Sequence, residues 1–321
     1  MKFNKSFQLV LILCSAYAVL STPRGVAMKV AKGRRGVLPS RDVSSEAQVS
    51  WTQVDQVLGR TAATPVDGVH RYSFPRADMN VTVGSTHVNA GFALGSFAAF
   101  MLSDDDAIVM GDLVLSEEEV NPVMSALQKG GIQTTAIHNH LLFEKPAVKY
   151  VHYKGQKDLA SLARTLRTAL GLTKTPLTAP APNNGTSPLP FNTTALDSII
   201  GYPGKANNGV YQYSIPRAET IMDGEMTIPP AMGVATAINF QPTGRTTAAI
   251  TGDFVLLASE VPLVLQVLSE SGIQVNALYN HMLTDSSRLF YIHFWAVDEV
   301  VKLGNALRSA LARTNSKKPG A

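Results

Sequence analysis

A two-copy α+β fold is what this sequence predicts, each copy an antiparallel sheet with its helices gathered on one face, and three observations predict it. Residues 68 to 170 recur 141 positions later, from Gly68/Gly209 through Gly111-Asp112/Gly252-Asp253 and Asn139-His140/Asn280-His281 to His152/His293 and Leu170/Leu311. Self-similarity at a fixed period marks a structural unit used more than once, and the constant offset implies no net insertion between the copies. The 321 residues are too many for one typical core and suit two domains of roughly 100 to 150 residues each. Pro176, Pro180, Pro182, Pro188 and Pro190 crowd residues 171–193 among Thr, Asn and Gly, the composition of an extended linker. The first copy is therefore expected over 50–170, the linker over 171–193, the second copy over 194–314 and a short tail over 315–321.

Each copy reads in the same order. Trp51 to Leu58, and Leu196 to Ile200 in the second copy, have the apolar spacing of an amphipathic helix. A strand follows over Val69 to Phe74 and Val210 to Ile215, closed each time by Pro-Arg. Two further strands are expected near Ser96 to Leu102 and Ala107 to Leu115, the latter matched by Ala248 to Ala258. Ser116 is a good helix cap, the acids Glu117, Glu118 and Glu119 suit the positive end of the helix dipole, and Gly130-Gly131 stops the turn. Its counterpart runs from Ser259 to Gly272. A β-hairpin comes next, Ile132 to Leu142 with Val148 to Lys154, then Ile273 to Leu283 with Leu289 to Ala296. Amphipathic helices over Gln156 to Leu170 and Val297 to Leu311 end the copies. The order β-α-β-β-α is that of a ferredoxin-like half, an α+β arrangement.

At 45% hydrophobic and 16% charged the chain has ample material for packed interiors and too little charge for an extended disordered polymer. Its net charge of +4 is concentrated at Lys2, Lys5, Arg24, Lys29, Lys32, Arg34 and Arg35, so the body is nearly balanced and nucleic acid is not an expected partner. Lys2 and Lys5, the apolar run Phe7 to Cys14 and the small-x-small Ala16-Tyr17-Ala18 form an export signal over 1–18, with a second cleavage point near residue 27. The apolar run is shorter than the roughly 20 residues of a membrane span, so the mature chain is expected to have none. Residues 19–49 read as a flexible tail. Cys14 is the sole cysteine, and Leu13 before it disfavours a lipid anchor, so stability must come from burial rather than disulfides.

The hairpin carries the chemistry. Strand residues two apart share a face, so His138 and His140 point the same way. A turn symmetric about Pro146 sets His140 opposite His152, and one centred on Ser287 sets His281 opposite His293, with Tyr279 in place of the third histidine. Phe290, Ile292 and Phe294 form an apolar face suited to lie under the helices. Tyr291, His293 and Trp295 form the other, which suits a pocket or contact between copies. Three neutral imidazoles are a usual ligand set for zinc or another divalent metal, bound at about 2.0–2.1 Å with a position left for water or substrate. On that reading His138, His140, His152, His281 and His293 are metal ligands; on the others the paired histidines donate to backbone carbonyls or to each other's neighbours within a snug polar core, or bind a ligand without metal. Asp112 and Asp253 are candidate catalytic helpers as general base or orienting acceptor, while Tyr279 and Trp295 are ligand-binding candidates. Arg76 and Arg217, each followed two positions on by an acid, could clamp a carboxylate or phosphate or else form a structural ion pair at the strand end. His70 becomes Tyr211 and His87 becomes Ile228, so neither belongs to a shared chemistry.

At Gly252-Asp253-Phe254-Val255-Leu256, Asn280-His281-Met282-Leu283 and Arg288 to Trp295 the chain resembles the LppY/LpqO family, exported bacterial proteins with a duplicated domain of unknown function. The likeness spans about residues 48–314 and is looser in the first copy, where Lys149 and Tyr150 replace the Arg-Leu-Phe-like run. It implies location and domain plan, not an activity. Three functions follow from the residues: an exported protein binding a small ligand or divalent metal at a His-lined sheet face, a metal-dependent hydrolase, or a non-catalytic structural module.

Overall fold

A computed structural model describes residues 50–103, 106–178 and 188–320. The export signal, the basic tail and the middle of the linker lie outside the described residues. The first copy begins with α1 (Trp51–Leu58), whose Gln53 and Ser50 cap one another, and continues with β1 (His70–Pro75), the small hairpin β2 (Val81–Val83) and β3 (Thr86–Val88), and one turn of helix, α2 (Ala90–Ala93). Then come β4 (Gly95–Ser103), β5 (Asp106–Ser116), α3 (Glu117–Lys129), β6 (Gln133–His138), β7 (Glu144–Lys145), β8 (Val148–Lys157) and α4 (Leu159–Leu170). The second copy runs α5 (Thr193–Ile200), β9 (Lys205–Asn207), β10 (Val210–Pro216), β11 (Met222–Asp223), β12 (Met226–Thr227), β13 (Ala235–Pro242), β14 (Thr247–Leu257), α6 (Val261–Glu270), β15 (Gln274–Tyr279), β16 (Asp285–Ser286), β17 (Leu289–Glu299) and α7 (Val300–Leu311).

The strands form one large antiparallel sheet per copy, in the orders β1-β4-β5-β8-β6 and β15-β17-β14-β13-β10-β9. Two three-stranded sheets, β3-β2-β7 and β12-β11-β16, sit beside them. The antiparallel α+β class is the one observed, and the expected helices and main strands occur in the expected order, while β2, β3, α2 and β7 in the first copy and β9, β11, β12 and β16 in the second were not expected. The last helix of each copy starts three residues later than expected, because β8 and β17 keep pairing with β5 and β14 up to Lys157 and Glu299.

One face of each sheet packs under its own helices. In the first copy Tyr72, Phe74, Phe100, Val109 and Val151 meet Val123, Leu127, Leu162 and Leu166; in the second Phe240, Phe254 and Phe294 meet Leu268, Leu303 and Leu307. Each fully buried large apolar side chain contributes roughly 1.5–3 kcal/mol. The opposite faces pack against each other: Ala99, Ile108 and Met110 with Ile221, Val255 and Tyr291, and Phe92, Leu94 and Tyr150 with Val210, Ala249 and Trp295. The copies also clasp each other reciprocally. Arg71 donates to Ala231 O at 3.0 Å, and Gln212, the residue 141 positions after Arg71, donates to Gly91 O at 3.2 Å.

That second pair exposes a departure from the constant offset. Gly91 and Ala231 are 140 positions apart, as are the turn glycines Gly84 and Gly224, both with positive φ (58° and 65°). The second copy loses a residue before β11 and regains it in the β13–β14 turn, so the errors cancel at both ends. His87 is therefore matched by Thr227, not Ile228; Ile228 is the buried equivalent of Val88.

Candidate functional site

The polar residues meet where the two sheets face each other. Asp112 lies directly opposite His152, and Asp253 opposite His293. His138 lies opposite Tyr150, and Tyr279 opposite Tyr291. The register differs from the sequence expectation, since His152 stands opposite Ala136 rather than His140, and His293 opposite Ala277 rather than His281. The turns are not tight: β7 and β16 leave the hairpins to pair with β2 and β11, which consumes chain. The slide is by an even number of residues, so the faces are kept.

Glycine before each aspartate is dictated by packing. A Cβ on Gly111 would sit 2.2 Å from Phe97 O and 2.3 Å from the Tyr153 hydroxyl; on Gly252 it would sit 2.0 Å from Ala237 O and 2.8 Å from the Phe294 ring.

His138 Nε2 is 2.7 Å from His152 Nε2. In the equivalent place of the second copy the Tyr279 hydroxyl is 2.6 Å from His293 Nε2, and it also meets His281 Nε2 at 2.9 Å and Asp253 Oδ2 at 3.1 Å. The rings of His138 and Tyr279, equivalent residues, stack on each other with centroids 3.8 Å apart, giving the halves an approximate two-fold relation. His140 does not join His138 and His152 as expected; it crosses to the other copy, its Nδ1 3.1 Å from His293 Nε2, and stacks on Tyr150. His281 likewise crosses to stack on His152, and also covers Tyr291. The expected trio from one copy is thus replaced by a five-imidazole centre shared by both.

Carbonyls only accept, so two tautomers are settled. His138 Nδ1 is 2.9 Å from Asn139 O and His293 Nδ1 is 3.0 Å from Gly252 O; in each case Nδ1 carries the hydrogen and Nε2 a bare lone pair facing the centre. Burial holds His138 down to about 4, and His140, His152 and His293 well below the usual imidazole range, so these rings are neutral at pH 7. Burial and then the charge of Asp253 push Asp112 up to about 8, against the pull of Arg71. Burial presses on Asp253 too, but His293, the hydrogen bond with His281, and His138 outweigh it and keep its carboxyl below the usual range. One carboxylate of the two is charged. Asp112 Oδ1 faces His152 Nδ1 at 3.7 Å and Asp253 Oδ1 faces His293 Nδ1 at 3.5 Å. Neither oxygen has a hydrogen-bond partner, nor do the hydroxyls of Tyr150 and Tyr291, 2% and 0% exposed. Buried polar atoms left unpaired in the same place in both copies demand an explanation.

Three expected residues lie elsewhere. Arg76 and Arg217, 1% and 5% exposed, spend their guanidinium donors on Asp78, Glu119 and Val114 O, and on Glu219, Glu260 and Val255 O. They are structural ion-pair hubs with no fork left for an anion. Trp295 packs on Phe92 across the copies. Tyr150, Tyr291 and Arg71 were missed as site residues; the two tyrosines are kept at the 141-residue offset, a signal that was available. Among the described residues no three His, Cys, Asp or Glu side chains already stand in ion-ligating geometry, and no described helix is long and apolar enough to cross a membrane.

Fold and site together define a tandem α+β protein whose halves share one imidazole centre, with His152 and His293 buried and His138, His140 and His281 half-buried. The chain belongs to the family described as Domain of Unknown Function (DUF1259), matched twice, over residues 52–172 and 194–313. No curated protein matches. Among solved structures, EtuB from Clostridium kluyveri is 9% identical, covering 78% of this chain and 89% of that one at a TM-score of 0.19. TP0453 is 12% identical, with 79% and 96% covered at 0.16.

Proposed function

We propose that this chain is an exported cell-envelope protein that binds a divalent transition-metal ion, zinc or a near relative, at the imidazole centre between its copies. Export rests on the residue pattern over 1–18; mature protein recovered from an export-competent host and still beginning at Met1 would remove that part. The metal reading rests on one observation: the ring hydrogens of His138 and His293 are committed to backbone carbonyls, leaving bare Nε2 atoms turned inward beside other imidazoles. Neutral imidazoles fixed in that tautomer by an acceptor behind them are the donors zinc, cobalt, nickel and copper favour. The carboxyl groups behind His152 and His293 fit the same scheme. Two nitrogens on one tetrahedral ion stand about 3.3 Å apart, so the 2.7 Å contact of His138 with His152 must open on binding. Side chains of Asp112, Asp253 and His281, 13%, 14% and 13% exposed, give the centre an approach from solvent.

Purified full-length protein dialysed against zinc should retain it, and the double variant His138→Ala/His152→Ala should lose it while staying folded. Wild-type protein that retains no zinc, cobalt, nickel or copper sinks the reading. The packing favours one competitor, a structural hub: the rings stack tightly and no ready-made trio frames an ion. On that reading the metal-free wild type has its full stability, unchanged by any of these ions.

A further inference from the structure

The number of ions and the seat they take follow from the one difference between the halves, and this step rests on the metal reading above. Four pairs of equivalent groups are identical, Asp112/Asp253, His140/His281, Tyr150/Tyr291 and His152/His293; the fifth is His138/Tyr279. We infer that the first copy's half is the single metal seat, with His138 and His152 as imidazole ligands, and that the Tyr279 hydroxyl plugs the equivalent seat in the second copy, so that the chain takes one ion and not two.

Hydrogen counting carries this. In the second half the one hydroxyl hydrogen of Tyr279 faces two acceptors, the bare Nε2 of His293 at 2.6 Å and Asp253 Oδ2 at 3.1 Å, and His140 Nδ1, 3.1 Å from the same His293 Nε2, is placed to supply the second hydrogen, so every lone pair there can be met as it stands. The first half has the same spacing, 2.7 Å, between two ring nitrogens, of which His138 Nε2 is bare. His152 has one ring hydrogen to place. On Nε2 it bridges to His138 but leaves Nδ1 bare, because Asp112 Oδ1, 3.7 Å away, is beyond hydrogen-bond reach even when that carboxyl carries its proton. On Nδ1 it faces Asp112 but leaves two lone pairs in contact. A cation between the Nε2 atoms settles both demands at once, with His152 Nδ1–H turned to the Asp112 carboxylate. The second half has no such conflict, because His293 Nδ1 already donates to Gly252 O. Lone pairs on imidazole with one carboxyl behind select a borderline transition metal over magnesium or calcium, which favour oxygen.

The test counts ions on the metal-stripped full chain by equilibrium dialysis with Zn(II) and by the visible absorption of Co(II), with circular dichroism to check folding. Wild type should bind one equivalent, Tyr279→His two, and His138→Tyr none; Mg(II) should not compete. One equivalent in both wild type and Tyr279→His overturns the inference and leaves the metal reading standing, as do two equivalents in wild type. No binding by wild type overturns both. If Tyr279→His does not fold, His138→Tyr decides: a full equivalent retained there overturns the inference.

Discussion

Single residues explain much of what the repeat retains. Gly252 is kept because a methyl there would lie 2.0 Å from the Ala237 carbonyl, backbone that cannot yield. Gly252→Ala should therefore destabilise by about 1–3 kcal/mol or more, read from the urea midpoint, whereas Gly131→Ala meets no atom and is opposed only by its φ of 82°. Arg217→Met should cost about 3–5 kcal/mol, since it leaves the buried Glu260 carboxylate without its counter-charge and Val255 O without its donor; the same measurement checks it. The two arginines were legible as important from their recurrence, and of the two roles open to them the ion pair with the acid two positions on is the one that forms. Recurrence reports that a side chain is needed, while only the positions of Glu119 and Glu260, 43 residues away, tell an anion clamp from an ion pair.

Elements were legible wherever local chemistry decides them. Ser116 before three acids starts α3, and Glu119 returns to accept the Ser116 N–H at 2.9 Å, as a capping box requires. α5 begins three residues before the expected Leu196, at a cap the sequence reading did not use: the Asn192 side chain accepts from Ala195 N at 3.0 Å. Asn192→Ala should cost about 0.5–2 kcal/mol and Asn192→Asp almost nothing, measurable by thermal unfolding. Strand register was not legible, because it depends on how much chain the turns consume, and β7 and β16 divert that chain to distant partners. Since the slide kept parity, the facing of every histidine survived while its neighbour changed. His140 shows the cost of the assumption: read as a partner of His152, it reaches instead a residue 153 positions away.

At the scale of the molecule, both sheets are needed to cover the imidazole centre, so the halves should unfold in one cooperative transition. Its pH dependence has a defined sign in metal-free protein. Imidazoles held below their unfolded value of 6.5 stabilise the fold above it and lose that contribution as pH falls from 6.5 toward 4 and below, for His138, His140, His152 and His293 alike. Asp112, raised from 3.8 to about 8, acts oppositely: stability falls as pH climbs between those values. Four groups outweigh one below 6.5, and Asp112 alone is left above it, so urea midpoints should peak near pH 6.5 and drop more steeply on the acid side. A flat profile from pH 5 to 8 would contradict neutral buried rings.

The stacked pair of His138 on Tyr279 has a further consequence. In an isologous assembly of two identical chains, whatever side chain lies nearest the symmetry element must face its own replica, so any substitution there is made twice. Joining both halves in one polypeptide lifts that obligation. A histidine can then oppose a phenol, and the contact between halves gains a direction that no homodimer of either half could possess.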